Sequence, residues 1–258
     1  RRAMYRNYIR KSLDEFADNG SVIHFISEEY TGPLHFVQFW LDVIAEWEAE
    51  TGKDAKVALS CTKDVQDAIL ADEVRAKTVD IIDMKYWHPT MNGFHAPPGG
   101  VHMAPRQYGR LRRDYTEKAE VKARNASERT YEVVSDYRQR FPEKAFIVSA
   151  NGDVWAAMMG GASLCALPSA LPQDFKKAVP QMRPVENKEA MQIGKPGLGY
   201  VVYAPSAEQL SLNLEGDGRT YNAKWINPRN GLPVGEAFKM KGGKTYSFEK
   251  KGILWLYR

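Results

Sequence analysis

The sequence predicts an α/β protein, a parallel sheet with covering helices followed by a small antiparallel β module that reads as a sandwich. Three observations carry this. From Arg1 to about Met182, strand-like apolar runs alternate with helical patterns, the order from which parallel sheets are built. Leu34–Glu50 places Phe36, Val37, Trp40, Leu41, Ile44 and Trp47 on one stripe at helical spacing. From about Arg183 the texture changes to short runs separated by turn signals, with Leu210, Leu212 and Leu214 in strict alternation.

In chain order, Tyr5–Ala17 is helical, with Tyr5, Ile9, Leu13 and Phe16 on one face. Val22–Ser27 is a short apolar strand, and Leu34–Glu50 is a helix that Gly52 stops. Lys56–Cys61 is strand-like, and Thr62 caps a helix over Asp64–Ala71. Val79–Asp83 is a third strand, which Met84–Trp87 extends. A long Gly/Pro-rich stretch follows, including "WHPTMNGFHAPPGGVHMAPRQ"; loops this long inside a compact domain are functional or disordered. Ser127–Phe141 is helical with Pro142 at its exit, Ala145–Ser149 a fourth strand, Asp153–Met159 a short helix and Ser163–Leu167 a fifth strand. The β module offers "LGYVVYAP", "EQLSLNLEG", "RTYNAKWINPRNG", "KTYSFEKKG" and "ILWLYR", with turn chemistry at Pro228–Gly231. Its own core is slight, so it is expected to pack on the preceding domain.

The 258 residues suffice for one large domain or a domain plus a module. The 36 basic and 32 acidic side chains leave a net charge of +4, too weak to argue for nucleic acid or a membrane surface. The basic run "RQYGRLRRDY" at Arg106–Tyr115 is solvated loop charge or a contact for a charged glycan or phosphate. No run approaches the about 18 apolar residues of a membrane span. Cys61 and Cys165 sit in apolar surroundings without a CxxC pairing, which suits buried thiols better than ligands. The opening "RRAMYRNYIRKSLDEF" reads as entered in mid-helix, the sign of a piece of a longer protein.

Function gathers beyond the carboxyl ends of parallel strands. The first strand exit carries Ser27, Glu28, Glu29 and Tyr30; the second Ser60, Thr62, Lys63 and Asp64; the third Asp83, Lys85, Tyr86, Trp87 and His88; the fourth Ser149, Asn151 and Asp153. Carboxylates mixed with Tyr and Trp suit a carbohydrate site, where aromatic faces stack on sugar rings and paired carboxylates move protons. Each feature also has a structural account. Glu28–Glu29 caps the helix starting near Leu34 or faces water, and successive strand residues point to opposite faces, so only one carboxylate easily faces the site. Asp83 reads equally as a buried partner for Lys85 or an arginine, and Tyr86 and Trp87 as packing residues. The spacing of His88, His95 and His102 fits no tight metal motif. Nucleophile elbows, Walker loops and dinucleotide glycine fingerprints are absent from the strand-to-helix turns.

With these residues assembled, the chain resembles the second half of a clan A-type glycoside hydrolase barrel, closest to families common in Bacteroidetes whose barrel precedes a β module labelled collagen-binding. The segments that carry the resemblance are "IHFISEEYTGPLHFVQFWLDVIAEWE", "VDIIDMKYWH" with "APPGG…MAPRQ", "VWAAMMGGASL" and, in the module, "YVVYAPS…LSLNLEG…TYNAKWINPRNG". The resemblance implies a (β/α)8 TIM-barrel portion, about strands 4–8, over residues 1–182 and a β-sandwich module over 183–258. It implies hydrolysis of glycosidic bonds in a polysaccharide or oligosaccharide, or an inactive carbohydrate-binding barrel. Glu29 matches the acid/base glutamate at the exit of the fourth barrel strand, whereas Glu28 stands where asparagine is usual. The seventh strand offers "FIVSANGD" without the nucleophilic glutamate of clan A. That pattern favours inversion, with Glu29 as acid and Asp83 (or Asp153) activating water. Glu28, Tyr30, Tyr86, Trp87, His88 and Asn151 then line the sugar subsite. The resemblance implies no cofactor and no metal, a secreted, periplasmic or cell-surface bacterial location, and an N-terminal part of the same barrel as partner.

Overall fold

The structure, a computed structural model, describes residues 1–27, 30–84, 88–90, 93–95, 101–102, 126–148, 153–205, 209–250 and 252–258. Its contacts define two compact units: Arg1–Arg124 with Phe141–Asn151, and Asn125–Arg140 with Gly152–Arg258.

The first unit opens with α1 (Arg2–Phe16), which buries Ile9 and Leu13. Next come β1 (His24–Ile26), β2 (Tyr30–Thr31) and α2 (Leu34–Thr51). The expected stripe of α2 is buried at Val37, Leu41, Ile44 and Trp47, and Phe36 and Trp40 pack against the same core. The Trp47 indole N–H donates to Asp14 at 2.7 Å, tying α2 to α1. Gly52 ends α2 at φ 68, a left-handed turn that glycine adopts without a Cβ clash. Then β3 (Val57–Leu59), α3 (Lys63–Leu70) and β4 (Ile81–Asp83) follow. Thr62 stands at the N-cap of α3, yet its hydroxyl makes no capping bond. The Gly/Pro-rich stretch contains β5 (His88–Thr90), β6 (Gly93–His95) and β7 (Val101–His102). β5 and β6 pair antiparallel, as do β2 and β7. Strands of two or three residues leave no apolar period, so the sequence read them as loop. Finally β8 (Ala145–Val148) joins β1, β3 and β4 in a parallel sheet of order β1-β3-β4-β8. The buried Lys144 ammonium leads into β8, donating to the carbonyls of Ala76 and Val79 at 2.8 and 2.7 Å.

The second unit holds α4 (Ala126–Arg140), α5 (Val154–Gly160), β9 (Leu164–Cys165) and α6 (Gln173–Ala178). The strands β10 (Arg183–Pro184), β11 (Met191–Lys195), β12 (Gly199–Ala204), β13 (Leu210–Asn213) and β14 (Thr220–Ile226) come next. The chain closes with β15 (Pro233–Lys241), β16 (Thr245–Phe248) and β17 (Gly252–Tyr257). Six strands form one sheet of order β10-β11-β12-β17-β14-β15, antiparallel throughout, and β13 pairs with β16.

Both faces of the six-stranded sheet are covered. On one, Leu210 and Leu212 of β13 share a core with Val202, Tyr221, Leu254 and Leu256. On the other, Trp155 and Met159 of α5 and Phe175 of α6 share a core with Val201, Tyr203, Ile253 and Trp255. Every residue of β12 is buried, which is how a strand covered on both sides should read. The chain is therefore a mixed α/β protein with a parallel sheet and antiparallel sheets, and helices from before residue 182 complete the core of the strands after it. Among the described residues, no helix is long and apolar enough to cross a membrane.

Candidate functional site

Parallel pairing brings the strand exits of the first unit level. Ile26 faces Leu59, Leu59 faces Ile82, and Asp83 faces Ile147 across neighbouring strands. Ladder bonds continue one residue beyond the strands, from the Ser60 N–H to Ile26 O and from the Met84 N–H to Ile147 O. Ser27, Ser60 and Asp83 thus stand together at the carboxyl edge of the sheet.

Asp83 is 2 % exposed and accepts a hydrogen bond from the Ser60 hydroxyl at 2.7 Å. A buried carboxylate is costly unless donors face it, and Ser60, itself fully buried, supplies one from the adjacent strand. Ser27 holds φ 67, the one positive φ outside glycine among the described residues. A side chain in that region costs about 1 kcal/mol or more, and such strain collects at functional sites. It turns the chain sharply just before Glu28–Glu29. Among the described residues, the buried hydroxyls of Ser27 and Thr62 and the buried amide nitrogen of Gln66 have no hydrogen-bond partner. Each such group costs about 1–3 kcal/mol, and two of them follow β1 and β3 while the third lies in α3. Cys61 lies beside them, fully buried, and burial, reinforced by the charge of Asp64, pushes its thiol well above the ordinary range. That removes it as a nucleophile at neutral pH.

Of the residues singled out by the sequence, the structure brings Asp83 into a defined environment. Tyr30 enters β2 opposite His102, and His88 enters β5 opposite His95. Glu28, Glu29, Tyr86, Trp87 and Asn151 lie outside the described residues, as do Lys85 and Arg106–Tyr115. Ser60, the residue that holds Asp83, was legible as a polar residue at a strand exit; what the sequence lacked was the register that pairs the two.

Asp153, the other carboxylate considered for activating water, stands at the start of a helix. It caps α5, with Oδ1 accepting from the N–H groups of Trp155 and Ala156 at 2.9 and 3.2 Å. Its Oδ2 accepts from the Ser127 hydroxyl at 2.7 Å and from the Tyr203 hydroxyl. Burial and the bond to Asp153 push the Tyr203 hydroxyl far above its usual range, so it remains a donor. Four donors thus occupy the acceptor positions of its two oxygens.

A family model described as "Domain of unknown function (DUF6298)" matches residues 1–182. The chain belongs to this family. The DUF6298 stretch thus includes the parallel strands with Ser27, Ser60 and Asp83 and also the helices α5 and α6 that cover the antiparallel sheet. No curated protein matches the chain. Among solved structures, this DUF6298 protein is similar to a glycoside hydrolase at 9% identity and a TM-score of 0.49, over 100% of this chain and 69% of that one. It is also similar to a glycoside hydrolase family 5 structure from Bacteroides vulgatus, at 11% identity and 0.46, over 99% and 67%. A third is the catalytic domain of GH30 xylanase C from Talaromyces cellulolyticus, at 12% identity and 0.37, over 100% and 67%.

Proposed function

We propose that this DUF6298 chain is the carboxyl-terminal part of a (β/α)8-barrel glycoside hydrolase acting on a polysaccharide or oligosaccharide. In this reading β1, β3, β4, β8 and β9 are barrel strands four to eight, and the antiparallel strands after residue 182 form the sandwich module. One observation supports it above the rest: the buried Asp83, held by Ser60 at level strand exits beside the strained turn at Ser27 that leads into Glu28–Glu29. Glu29 is the proton donor to the leaving oxygen. Asp83 takes a proton from the water that attacks the anomeric carbon from the opposite face, so the product inverts. Inversion calls for carboxyl groups about 6.5–9.5 Å apart, a separation suited to different strands of one barrel mouth. Glu28, Tyr30, Tyr86, Trp87, His88 and Asn151 shape the sugar subsite, and the chemistry needs no cofactor.

The preceding barrel strands are the partner this reading requires. β1 ends the described sheet, and Ile23 and Phe25 beside its open edge are 44% and 42% exposed. Met4, Tyr5, Tyr8 and Phe16 of α1 are exposed as well. An open apolar edge invites pairing, and earlier strands of the same barrel fit it. A polymer substrate places the protein outside the cytoplasm: secreted, periplasmic or on the cell surface.

The test is a polysaccharide panel on the full-length protein, comparing wild type with Glu29→Gln and Asp83→Asn. Loss of a general acid or base lowers turnover by about 10²–10⁴-fold. Sugar release by Glu29→Gln equal to that of wild type sinks Glu29 as the acid, and NMR of the first anomer released reads the stereochemistry. A second reading, a carbohydrate-binding barrel without turnover, is favoured by the saturated Asp153 after a strand that carries no glutamate. Binding without release by the wild type selects it.

A further inference from the structure

We infer that the antiparallel sheet carries a second binding site, for the uronate residues of an acidic polysaccharide. A surface cleft of about 430 Å³ lies where β14 runs into the turn at residues 227–231 and meets Lys250, past the end of β16. Its walls are apolar, from Trp225, Ile226, Pro228 and Val234, and its charged groups are Arg229 and Lys250. The volume lies in the range of small-ligand sites, about 300–1,000 Å³, and leaves room for about one or two sugar rings.

The cleft is built from fixed parts. The Asn227 side-chain oxygen accepts from the Arg229 N–H at 2.9 Å, and the Gly231 N–H closes the turn on Asn227 O at 2.8 Å. Gly231 holds φ 77, and a Cβ there would press on Pro168 and Leu171. From α5, the Trp155 indole N–H donates to Pro228 O at 2.8 Å. Phe248 meets the Trp225 ring edge-on with centroids 5.5 Å apart, and the Lys250 ammonium sits 4.4 Å above that ring. The aromatic wall is therefore positioned before any ligand arrives, which lowers the cost of binding.

The charge pattern selects the ligand. Among the described residues, no carboxylate lies within ion-pair distance of Arg229 or Lys250, and both are exposed. Two cations without a carboxylate partner among the described residues thus flank an aromatic and aliphatic wall. A neutral sugar would use the wall and leave the cations idle, whereas a bare anion would use the cations and ignore the wall. A hexuronate uses both: its ring C–H face packs on Pro228 and Val234, while its carboxylate meets the Arg229 fork and the Lys250 ammonium that rests over Trp225. From sequence alone Trp225 reads as a strand residue and Pro228–Gly231 as a turn.

This site does not depend on the catalytic reading, and the experiment keeps the two apart. Binding of oligouronates of galacturonate, guluronate and glucuronate, each about six residues long, is measured by calorimetry on the full chain. The comparison proteins are Arg229→Ala/Lys250→Ala and Glu29→Gln; neutral cello-oligosaccharides, poly-glutamate and single-stranded DNA are the ligand controls. The expected result is binding of at least one oligouronate by wild type and Glu29→Gln alike. The double variant, an exposed change that leaves the fold intact by circular dichroism, should bind at least about tenfold more weakly. No binding of any oligouronate by wild type overturns the proposal. So does a double variant within twofold of wild type, or equal affinity for poly-glutamate, DNA or the neutral sugar.

Discussion

Replacing Asp217 by asparagine should show how much one buried carboxylate holds the antiparallel unit together. Asp217 is 2 % exposed. Its Oδ2 accepts from the hydroxyls of Tyr200, at 2.9 Å, and Tyr221; its Oδ1 accepts from the Arg219 N–H at 3.1 Å and the Arg219 guanidinium at 2.9 Å. Burial alone would raise its pKa, but these donors outweigh it and hold the carboxyl at about 2, against an ordinary 3.8. At about 1.4 kcal/mol per unit, that difference contributes up to ~2 kcal/mol of stability, an upper figure because the Arg219 side chain is half exposed and screened. The sign follows from proton binding. The unfolded chain takes up the proton near pH 3.8 while the folded one stays ionised. The contribution is thus complete above about pH 5 and fades as pH falls through 2. Asparagine keeps one acceptor but turns an N–H₂ toward hydroxyl and guanidinium donors, so Asp217→Asn should cost about 2–3 kcal/mol at pH 7. Urea unfolding followed by tryptophan fluorescence between pH 7 and pH 2 measures the gap between the two proteins. A gap below about 0.5 kcal/mol at pH 7, or one that does not shrink on acidification, refutes the reasoning.

Other substitutions probe other parts of the chain. Ser27→Gly relieves a left-handed residue and removes a hydroxyl that has no partner among the described residues, so it should raise stability by about 1 kcal/mol; if the turn positions Glu29, turnover falls at the same time, and a destabilised variant would contradict the strain. Gly242→Ala sets a Cβ 1.6 Å from the Asp217 carbonyl oxygen and should cost about 3 kcal/mol or more, whereas Gly216→Ala meets nothing and should stay within about 0.5 kcal/mol; equal melting temperatures would disprove the crowding. Burial pushes the Cys165 thiol up to about 11 and Cys61 well above its usual range. At pH 8 about one Cys165 in a thousand is then ionised, so an aromatic disulfide reagent should label the native protein slowly and about tenfold faster per pH unit, and the unfolded chain at once.

The parts of the fold legible in the sequence are those that bury an apolar period. The stripe of α2 and its stop at Gly52, the short strands β3, β4 and β8, and the alternation of Leu210 and Leu212 all put residues into a core on schedule. What escaped has its energetics elsewhere. β15 is exposed along most of its length, with Met240 its one fully buried residue, so its pairing rests on backbone bonds. β11 hides behind Gln192 and Gly194, polar and small residues in a central strand. Gln192 is fully buried because its amide serves Asn187 and Asn213, and Gly194 is small because the Tyr200 ring lies across it. At the site, residue types at strand exits were readable, but the Asp83–Ser60 bond required the sheet register. Asp153 looked the same in sequence as Asp83; only its four donors mark it as a cap.

The double-covered sheet also bears on where the chain can be divided. The change of texture near residue 182 suggests a separable module, yet one face of its sheet is sealed by Trp155, Met159, Leu171 and Phe175, all from before that point. Burying a large apolar side chain contributes about 1.5–3 kcal/mol, so these four contribute roughly 6–12 kcal/mol. Domains of this size are stable by about 5–15 kcal/mol in total, so removing that cover removes most of what holds the strands. A fragment of residues 183–258 should therefore lack a cooperative thermal transition and bind a hydrophobic dye through the face of Val201, Tyr203, Ile253 and Trp255, whereas residues 126–258 should melt cooperatively. If 183–258 alone melts at the same temperature as the longer fragment, the helices are passengers and the sheet stands on the Leu210–Leu212 face alone.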